Sequence, residues 1–143
     1  TVYIGSWDKK VYALDAATGT RRWKHTTRSV VDSSPAVVDG TVYIGSNDYK
    51  VYALDAATGT PRWTYTTSGG VRSSPAVVDG TVYIGSNDYN VWALDAATGT
   101  PRWFHHTGGE VFSSPAVADG IVYFGSADKK VYALDAATGR AST

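Results

Sequence analysis

One sequence unit recurs along the whole chain at a fixed spacing of 40 residues. The four copies begin with TVYIGSWDKKVYALDAATGT at Thr1, TVYIGSNDYKVYALDAATGT at Thr41, TVYIGSNDYNVWALDAATGT at Thr81 and IVYFGSADKKVYALDAATGR at Ile121. No insertion or deletion interrupts the spacing, and residues 41–80 differ from residues 81–120 at only nine positions. Self-similarity at a fixed period of this length predicts a repeat architecture, in which each unit buries its apolar face against the next.

Each copy reads as four short strands separated by turn signals. In the third copy, the predicted strands are 74–78, 81–84, 91–94 and 102–105. Asp79-Gly80 is a strong hairpin signal, and Asp95-Ala96-Ala97-Thr98-Gly99 is a second turn rich in Asp and Gly. Pro101 stands at the start of the fourth strand, where its missing N–H does least harm. The unit is therefore predicted to be a four-stranded antiparallel meander.

The pattern of apolar residues favours sheets that are covered on both faces. A helical repeat of this period would need apolar residues at i, i+3 and i+4 over ten or more positions, and no such window exists. The VYAL and PAVV segments are instead apolar on both sides of the strand alternation. We therefore expect an all-β fold, a β-propeller with a WD40-like architecture and about four sheets in one domain. The expected units are a partial blade at 1–33, complete blades at 34–73 and 74–113, and a partial blade at 114–143.

Composition argues against several classes of partner. Thirteen basic and thirteen acidic residues give a formal net charge of zero, which disfavours nucleic acid and anionic membranes as partners. The absence of cysteine excludes disulfides and thiolate ligands for zinc. No segment approaches the roughly 20 apolar residues needed to span a bilayer. No metal site is expected.

A recurring motif carries a family resemblance. The tracts ALDAATGTPRW at 53–63 and 93–103 resemble the AxDxxTGxxxW signature of the PQQ-like (quinoprotein) propeller repeat. The first copy has Arg21 in place of proline, and the fourth has Thr143 where tryptophan would stand. The family includes dehydrogenases, outer-membrane assembly scaffolds and kinase sensor domains. The resemblance implies the propeller fold, favours eight sheets in a ring and suggests an extracytoplasmic location, which the residues themselves do not determine.

The residues of this signature are interpreted as structural. The turn aspartates can accept hydrogen bonds from the turn backbone, the glycines can supply positive φ, and the tryptophans can fill the gap between neighbouring blades. These residues are Asp15, Asp55, Asp95 and Asp135, then Gly19, Gly59, Gly99 and Gly139, and Trp23, Trp63 and Trp103. Metal binding by the turn aspartates is the alternative, but one carboxylate per turn falls far short of the six to eight oxygens that calcium takes.

Three modes of ring closure remain open. The four sheets could close on themselves, two chains could complete an eight-sheet ring, or the chain could be a piece of a longer propeller. Unfilled sheet edges invite pairing with another chain, so self-association is expected.

Differences between the copies concentrate on one face of the expected disc. The turns GSxDxx and the loops before Ser-Ser-Pro share this face, whereas the Asp-Gly and DAATG turns share the opposite face. Asp32, Arg72 and Phe112 occupy equivalent loop positions and should ring the mouth of the central channel, where they could hold a small polar ligand or a partner. The alternative is that they are solvated loop tips. The other candidates on this face are Trp7, Tyr49, Tyr89, Glu110 and Arg28.

The favoured function is a non-catalytic propeller that acts as a binding or protein-interaction scaffold through this face. Aromatic residues and arginine are enriched where proteins touch their partners, so a protein or peptide partner is expected. No catalytic residue and no cofactor are expected. The alternatives are a fragment of a dehydrogenase that uses PQQ and calcium, and an engineered or purely structural repeat protein with no ligand.

Overall fold

Short runs of β-branched and aromatic residues between tight turns produce a chain of fourteen strands in a computed structural model that describes residues 1–141. They form four antiparallel sheets, which confirms the all-β propeller architecture. The first sheet contains β1 (Val2–Gly5), β2 (Lys10–Leu14) and β3 (Arg21–Thr26). The second contains β4 (Ala36–Val38), β5 (Thr41–Gly45), β6 (Lys50–Asp55) and β7 (Pro61–Thr66). The third contains β8 (Ala76–Val78), β9 (Thr81–Gly85), β10 (Asn90–Asp95) and β11 (Pro101–His106). The fourth contains β12 (Ala116–Ala118), β13 (Ile121–Ser126) and β14 (Lys130–Asp135).

Sequential strands are neighbours in every sheet, as in a meander. Pro61 and Pro101 begin β7 and β11, and the register shifts next to each of them. The innermost strand of a complete blade has only three residues, so the predicted strand at 74–78 is too long at its start. Pro75 has no N–H to donate, and the backbone N–H of Ser74 bonds instead to the Ser114 hydroxyl at 3.0 Å in the neighbouring blade.

The core lies between the sheets rather than inside any one of them. We use the term trailing side for the sheet face that packs on the next blade along the chain, and leading side for the face that packs on the preceding blade. In the first sheet, Tyr3, Val11 and Ala13 lie on the trailing side. The first junction joins that side to the leading side of the second sheet, and its buried residues are Val11, Ala13, Trp23, Val31, Val42, Ile44, Tyr52 and Leu54. Equivalent residues 40 positions later build the second junction, and those 80 positions later build the third.

The four sheets form an open arc. Val131 on the trailing side of the fourth sheet is 84% exposed, whereas the equivalent Val51 and Val91 are fully buried. Among the described residues, no hydrogen bond or apolar cluster joins the first sheet to the fourth. The possibility of a self-contained four-sheet ring is therefore wrong, and completion of a larger ring by a second chain stays a prediction. No helix in the described part of the chain is long and apolar enough to cross a membrane.

Candidate binding face

Alternating strand direction sorts the turns onto two faces of the arc. On one face, Ala56 donates its N–H to the Gly40 carbonyl at 2.9 Å, so the DAATG turn meets the Asp-Gly turn. On the other face, Val71 donates to the Ser46 carbonyl at 3.0 Å, so the loop before Ser-Ser-Pro meets the GSxDxx turn. We call the first the constant face and the second the variable face, because the copies differ mainly on the second.

Four of the predicted residues form one contiguous group on the variable face. Arg72 donates from Nε to Asp32 Oδ2 at 3.2 Å, and its guanidinium carbon lies 5.4 Å from the centroid of the Phe112 ring. The indole Nε1 of Trp7 donates to Asp32 Oδ1. Trp7 and Phe112 are 75% and 43% exposed. The structure thus brings together an indole, a carboxylate, a guanidinium and a phenyl ring from three successive loops and one turn; we call these four residues the loop cluster.

The other predicted residues of this face lie outside the loop cluster. Tyr49 is exposed, and Tyr89 packs against the His106 ring at 6.0 Å between centroids. Arg28 contributes a backbone N–H to Asp48 Oδ2 at 3.1 Å, while Glu110 accepts from the Ala127 N–H through its carbonyl oxygen at 2.8 Å. These contacts use the backbone of Arg28 and Glu110 to position the loops. They do not join the side chains of the two residues to each other or to the loop cluster.

A second set of aspartates, which sequence reasoning missed, holds the variable face together. Asp48 Oδ1 accepts from the Lys50 N–H at 3.1 Å, and its other oxygen accepts from the Tyr52 hydroxyl and from the preceding blade's loop. Asp88 and Asp128 repeat this link to the preceding blade, at 3.2 Å from Ser68 N and 3.0 Å from Gly108 N. The signal was present in the sequence, because an aspartate recurs at this turn position in all four copies.

Hydrogen bonding lowers the pKa of two of these aspartates, Asp8 and Asp128. The Tyr132 hydroxyl donates to Asp128 and lowers the pKa of that carboxyl below its usual value. The same bond, together with burial, raises the pKa of Tyr132 to about 12. Tyr12 lowers the pKa of Asp8 in the same way. Because charge-assisted bonds of this kind fix the turn, they favour a structural role for these carboxylates.

A cavity beside Phe112 corresponds to the position that a loop valine fills in the other copies; we call such a position a seat. In the first three copies a loop valine packs onto the glycine of the GSxDxx turn, so that a Cβ placed on Gly85 would lie 2.5 Å from Val111 Cγ1. The equivalent position at Gly125 is open, with only the Ser113 hydroxyl within 4 Å. The resulting cavity has a volume of about 350 Å³, and its lining residues are Phe112, Ser113, Gly125, Ser126 and Ala127. A branched aliphatic side chain fits such a seat.

The constant face is held by repeated polar contacts. Asp95 Oδ1 accepts from Ala97 N at 2.9 Å and Thr98 N at 3.1 Å, while its Oδ2 accepts from Arg102 at 2.7 Å. The Arg102 guanidinium holds the pKa of Asp95 below its usual value. Asp15 and Asp55 make the same contacts, and Asp135 receives the two backbone bonds.

The tryptophans of the signature lie between blades on this side. Trp23 donates from Nε1 to the Ala56 carbonyl at 2.9 Å, and its ring lies over Gly59. A Cβ at Gly59 would approach that ring to 2.5 Å, so glycine is required by contact as well as by a φ of 77°. The same arrangement recurs for Trp63 on Gly99 and for Trp103 on Gly139, and Gly19 shares the positive φ at 73°.

Three cavities on the constant face are larger than the one beside Phe112. Three grooves of about 450, 430 and 360 Å³ run between neighbouring blades. Their guanidinium groups are already engaged, since Arg62 donates to Asp55 at 2.7 Å and to the Thr41 hydroxyl at 2.6 Å. Because Arg62, which lines two of these grooves, is bonded to groups of its own blade, we interpret these grooves as the outer margins of the junctions.

Comparison with protein families identifies the repeat. A family model described as outer membrane protein assembly factor BamB, of the PQQ-like repeat class, matches residues 7–142. The chain belongs to this family. The resemblance to the PQQ-like family is therefore confirmed. A comparison with curated protein sequences finds no match.

Solved structures share the fold of this chain. BamB from Moraxella catarrhalis is 29% identical with a TM-score of 0.87, over 99% of this chain and 48% of that chain. A quinohemoprotein alcohol dehydrogenase from Pseudomonas putida is 24% identical with a TM-score of 0.85, over 99% of this chain and 32% of that chain. The computationally designed Ika4 protein is 23% identical with a TM-score of 0.83, over 93% of this chain and 83% of that chain. This PQQ-like chain thus spans about half of the BamB chain and a third of the dehydrogenase chain.

The residues present do not fit a PQQ and calcium site. Calcium takes six to eight oxygen ligands, and among the described residues no three His, Asp or Glu side chains converge so that they could hold a metal ion. Asp32, the carboxylate of the loop cluster, is bonded to Trp7 and Arg72. The turn aspartates stand one to a blade and are bonded to their own turns.

Proposed function

We propose that this PQQ-like chain is a non-catalytic scaffold segment that binds a protein or peptide partner through the variable face. The loop cluster carries the proposal, since it joins aromatic and guanidinium groups from neighbouring blades on an exposed surface. Tryptophan and arginine are the residue types that most often dominate the energetics of protein interfaces. BamB, with which the chain shares its family, is described as an assembly factor, and this supports a role in protein interaction.

The chemistry of the cluster indicates the kind of peptide. Arg72 bonds to Asp32 through Nε, which leaves its terminal nitrogens for a carboxylate of the partner. The seat beside Phe112 accepts a branched aliphatic side chain, as the equivalent seats accept Val31, Val71 and Val111. We therefore expect a peptide with an acidic residue close to a valine or isoleucine.

Binding of peptides to matched variants tests the proposal. Peptides selected from a random library displayed on phage are titrated against the wild type and against Arg72→Ala with Phe112→Ala. The matched control is Arg21→Ala with Phe104→Ala, which removes the same two exposed residue types from the outer strands β3 and β11. Loss of a central aromatic and a central arginine weakens binding by more than about tenfold, while the control binds like the wild type.

Two results would contradict the scaffold assignment. Equal affinity of the loop variant and the control would place the binding site elsewhere. A rise in melting temperature on addition of PQQ with Ca²⁺ would favour the dehydrogenase alternative, since a ligand that binds only the folded state stabilises it by about 2.7 kcal/mol at a hundredfold excess over Kd.

A further inference from the structure

The two ends of the arc expose apolar sheet faces: the first sheet exposes its leading side and the fourth sheet exposes its trailing side. Val2 and Ile4, on the leading side of the first sheet, are 46% and 49% exposed. Tyr123 and Val131, on the trailing side of the fourth sheet, are 43% and 84% exposed. The equivalent residues inside the arc are almost fully buried, for example Ile44 and Ile84 at 0%. Each end therefore carries half of a junction.

The strand residues of the two half-junctions match those of an internal junction. The first internal junction packs Tyr3, Val11 and Ala13 of one sheet against Val42, Ile44, Tyr52 and Leu54 of the next. The fourth sheet carries the same three types on its trailing side, namely Tyr123, Val131 and Ala133. The first sheet carries the same four types on its leading side, namely Val2, Ile4, Tyr12 and Leu14. These seven strand side chains of the internal junction thus have counterparts at the two ends.

We propose that a second copy of this chain docks head to tail, with the fourth sheet of each copy packed on the first sheet of the other. The polar contact of the junction has its counterpart as well. Tyr3, Tyr43 and Tyr83 each donate to an alanine carbonyl of the next DAATG turn at 3.0–3.1 Å. Tyr123 stands at the same position, and Ala16 of a second copy offers the matching carbonyl.

The span of the arc sets the number of copies at two. One chain covers 48% of the BamB chain at a TM-score of 0.87, so two chains account for nearly all of that length. A head-to-tail interface closes when its rotation completes a turn, and here a twofold axis along the channel gives two equal junctions. The formal net charge of zero sets up no overall repulsion between the copies. The closed dimer carries two copies of the loop cluster.

The closing junctions are weaker than the internal ones. The sequence has Thr143 where the repeat places Trp23, and the seat at Gly125 has no loop valine. Tryptophan is the largest member of each internal junction, so its loss removes contact area and the hydrogen bond to the DAATG turn. We therefore expect a dimer that dissociates on dilution.

Light scattering over a concentration series tests the proposal, which does not rest on the proposed function of the variable face. The wild type approaches twice 15.2 kDa at high concentration and falls toward 15.2 kDa on dilution. Val131→Asp and Ile4→Asp each place a charge in both closing junctions and raise the dimer dissociation constant by more than about a hundredfold. Phe104→Asp changes an exposed aromatic on β11, away from both ends, and leaves dimerisation unchanged.

Mixing the two end variants distinguishes the head-to-tail arrangement from any symmetric patch. Ile4→Asp and Val131→Asp together can form a dimer with one intact junction, so the mixture associates more strongly than either variant alone. Because both positions are exposed, each variant keeps the wild-type melting temperature of the monomer. A wild type that stays at 15.2 kDa at every concentration, that grows into open chains, or that dimerises equally well as Val131→Asp would overturn the proposal. Such a monomer can still bind peptide on the variable face, so the two proposals fail separately.

Discussion

The two faces of the arc are made from the same repeat but place their tryptophans in opposite environments. On the constant face, Trp23 is 9% exposed and packs over a glycine of the next blade. On the variable face, Trp7 lies mostly in solvent and touches Asp32. One indole stabilises a blade junction, while the other offers a contact surface. A repeat protein can thus keep the turns of one face nearly constant and vary the side chains that its other face exposes.

Truncation of one tryptophan on each face should give the largest difference in the free energy of unfolding. Trp23→Ala empties a buried junction and removes the hydrogen bond to Ala56, so we expect a loss of about 3–5 kcal/mol in the free energy of unfolding. Trp7→Ala changes an exposed side chain, and its cost stays below about 1 kcal/mol. Urea denaturation of both variants measures the difference. Equal losses would contradict the assignment of separate roles.

Substitution of two glycines of the constant face distinguishes the cost of a clash with a tryptophan ring from the cost of backbone strain. Gly80 and Gly99 have φ of 76° and 77°, but only Gly99 lies under a tryptophan, with Trp63 2.5 Å from the position of a Cβ. Gly80→Ala should cost about 1–2 kcal/mol for the left-handed backbone. Gly99→Ala should cost about 1–3 kcal/mol more, because the ring must move. Thermal denaturation of the pair checks this order, and a Gly80→Ala loss as large as that of Gly99→Ala would show that the ring contact is unimportant.

Acid should weaken the constant face through its turn aspartates. The Arg102 guanidinium lowers the pKa of Asp95 below 3.8 in the folded state, so the stabilisation is complete above pH 3.8 and is lost as the pH falls through the folded pKa. Denaturation between pH 5 and about pH 2 should therefore show falling stability. Asp95→Asn and Arg102→Gln should each reduce that slope, and a slope unchanged in both variants would contradict the pairing.

The smallest effect on stability is expected at the loop cluster. Arg72 and Asp32 form an ion pair whose arginine side chain is 44% exposed, and exposed pairs contribute under about 1 kcal/mol. A double-mutant cycle with Arg72→Ala and Asp32→Ala measures the coupling directly. A coupling energy of several kcal/mol would instead make this cluster part of the structural framework.

The repeat was sufficient to predict the architecture, because tight turns and alternating apolar strands are local signals. The four sheets, the meander order of their strands and the place of Pro101 all followed from residues adjacent in sequence. The strand at 74–78 was too long because the Ser74 N–H bonds to another blade, which no local pattern reveals. The open arc was equally hidden, since the angle between successive sheets depends on how whole junctions pack.

The candidate site was predicted in part. Position within the repeat placed Asp32, Arg72 and Phe112 on equivalent loops, and the structure brings them into contact. The bond from Trp7 to Asp32 joins a turn to a loop within one blade, and nothing in their spacing indicated it. The role of Asp48 was not predicted, because its bond to the Arg28 N–H joins residues 20 positions apart; only the recurrence of an aspartate at this turn position in every copy indicated a structural role.

The central claim is that a partner binds on the variable face and not on the constant face. Mapping of backbone amide chemical shifts in ¹⁵N-labelled protein, titrated with the tightest selected peptide, tests it most directly. We expect the perturbed amides to cluster around the loop cluster and the seat at Gly125, with the DAATG turns unchanged. Perturbation centred on the DAATG turns, such as Asp95 to Gly99, would contradict the account.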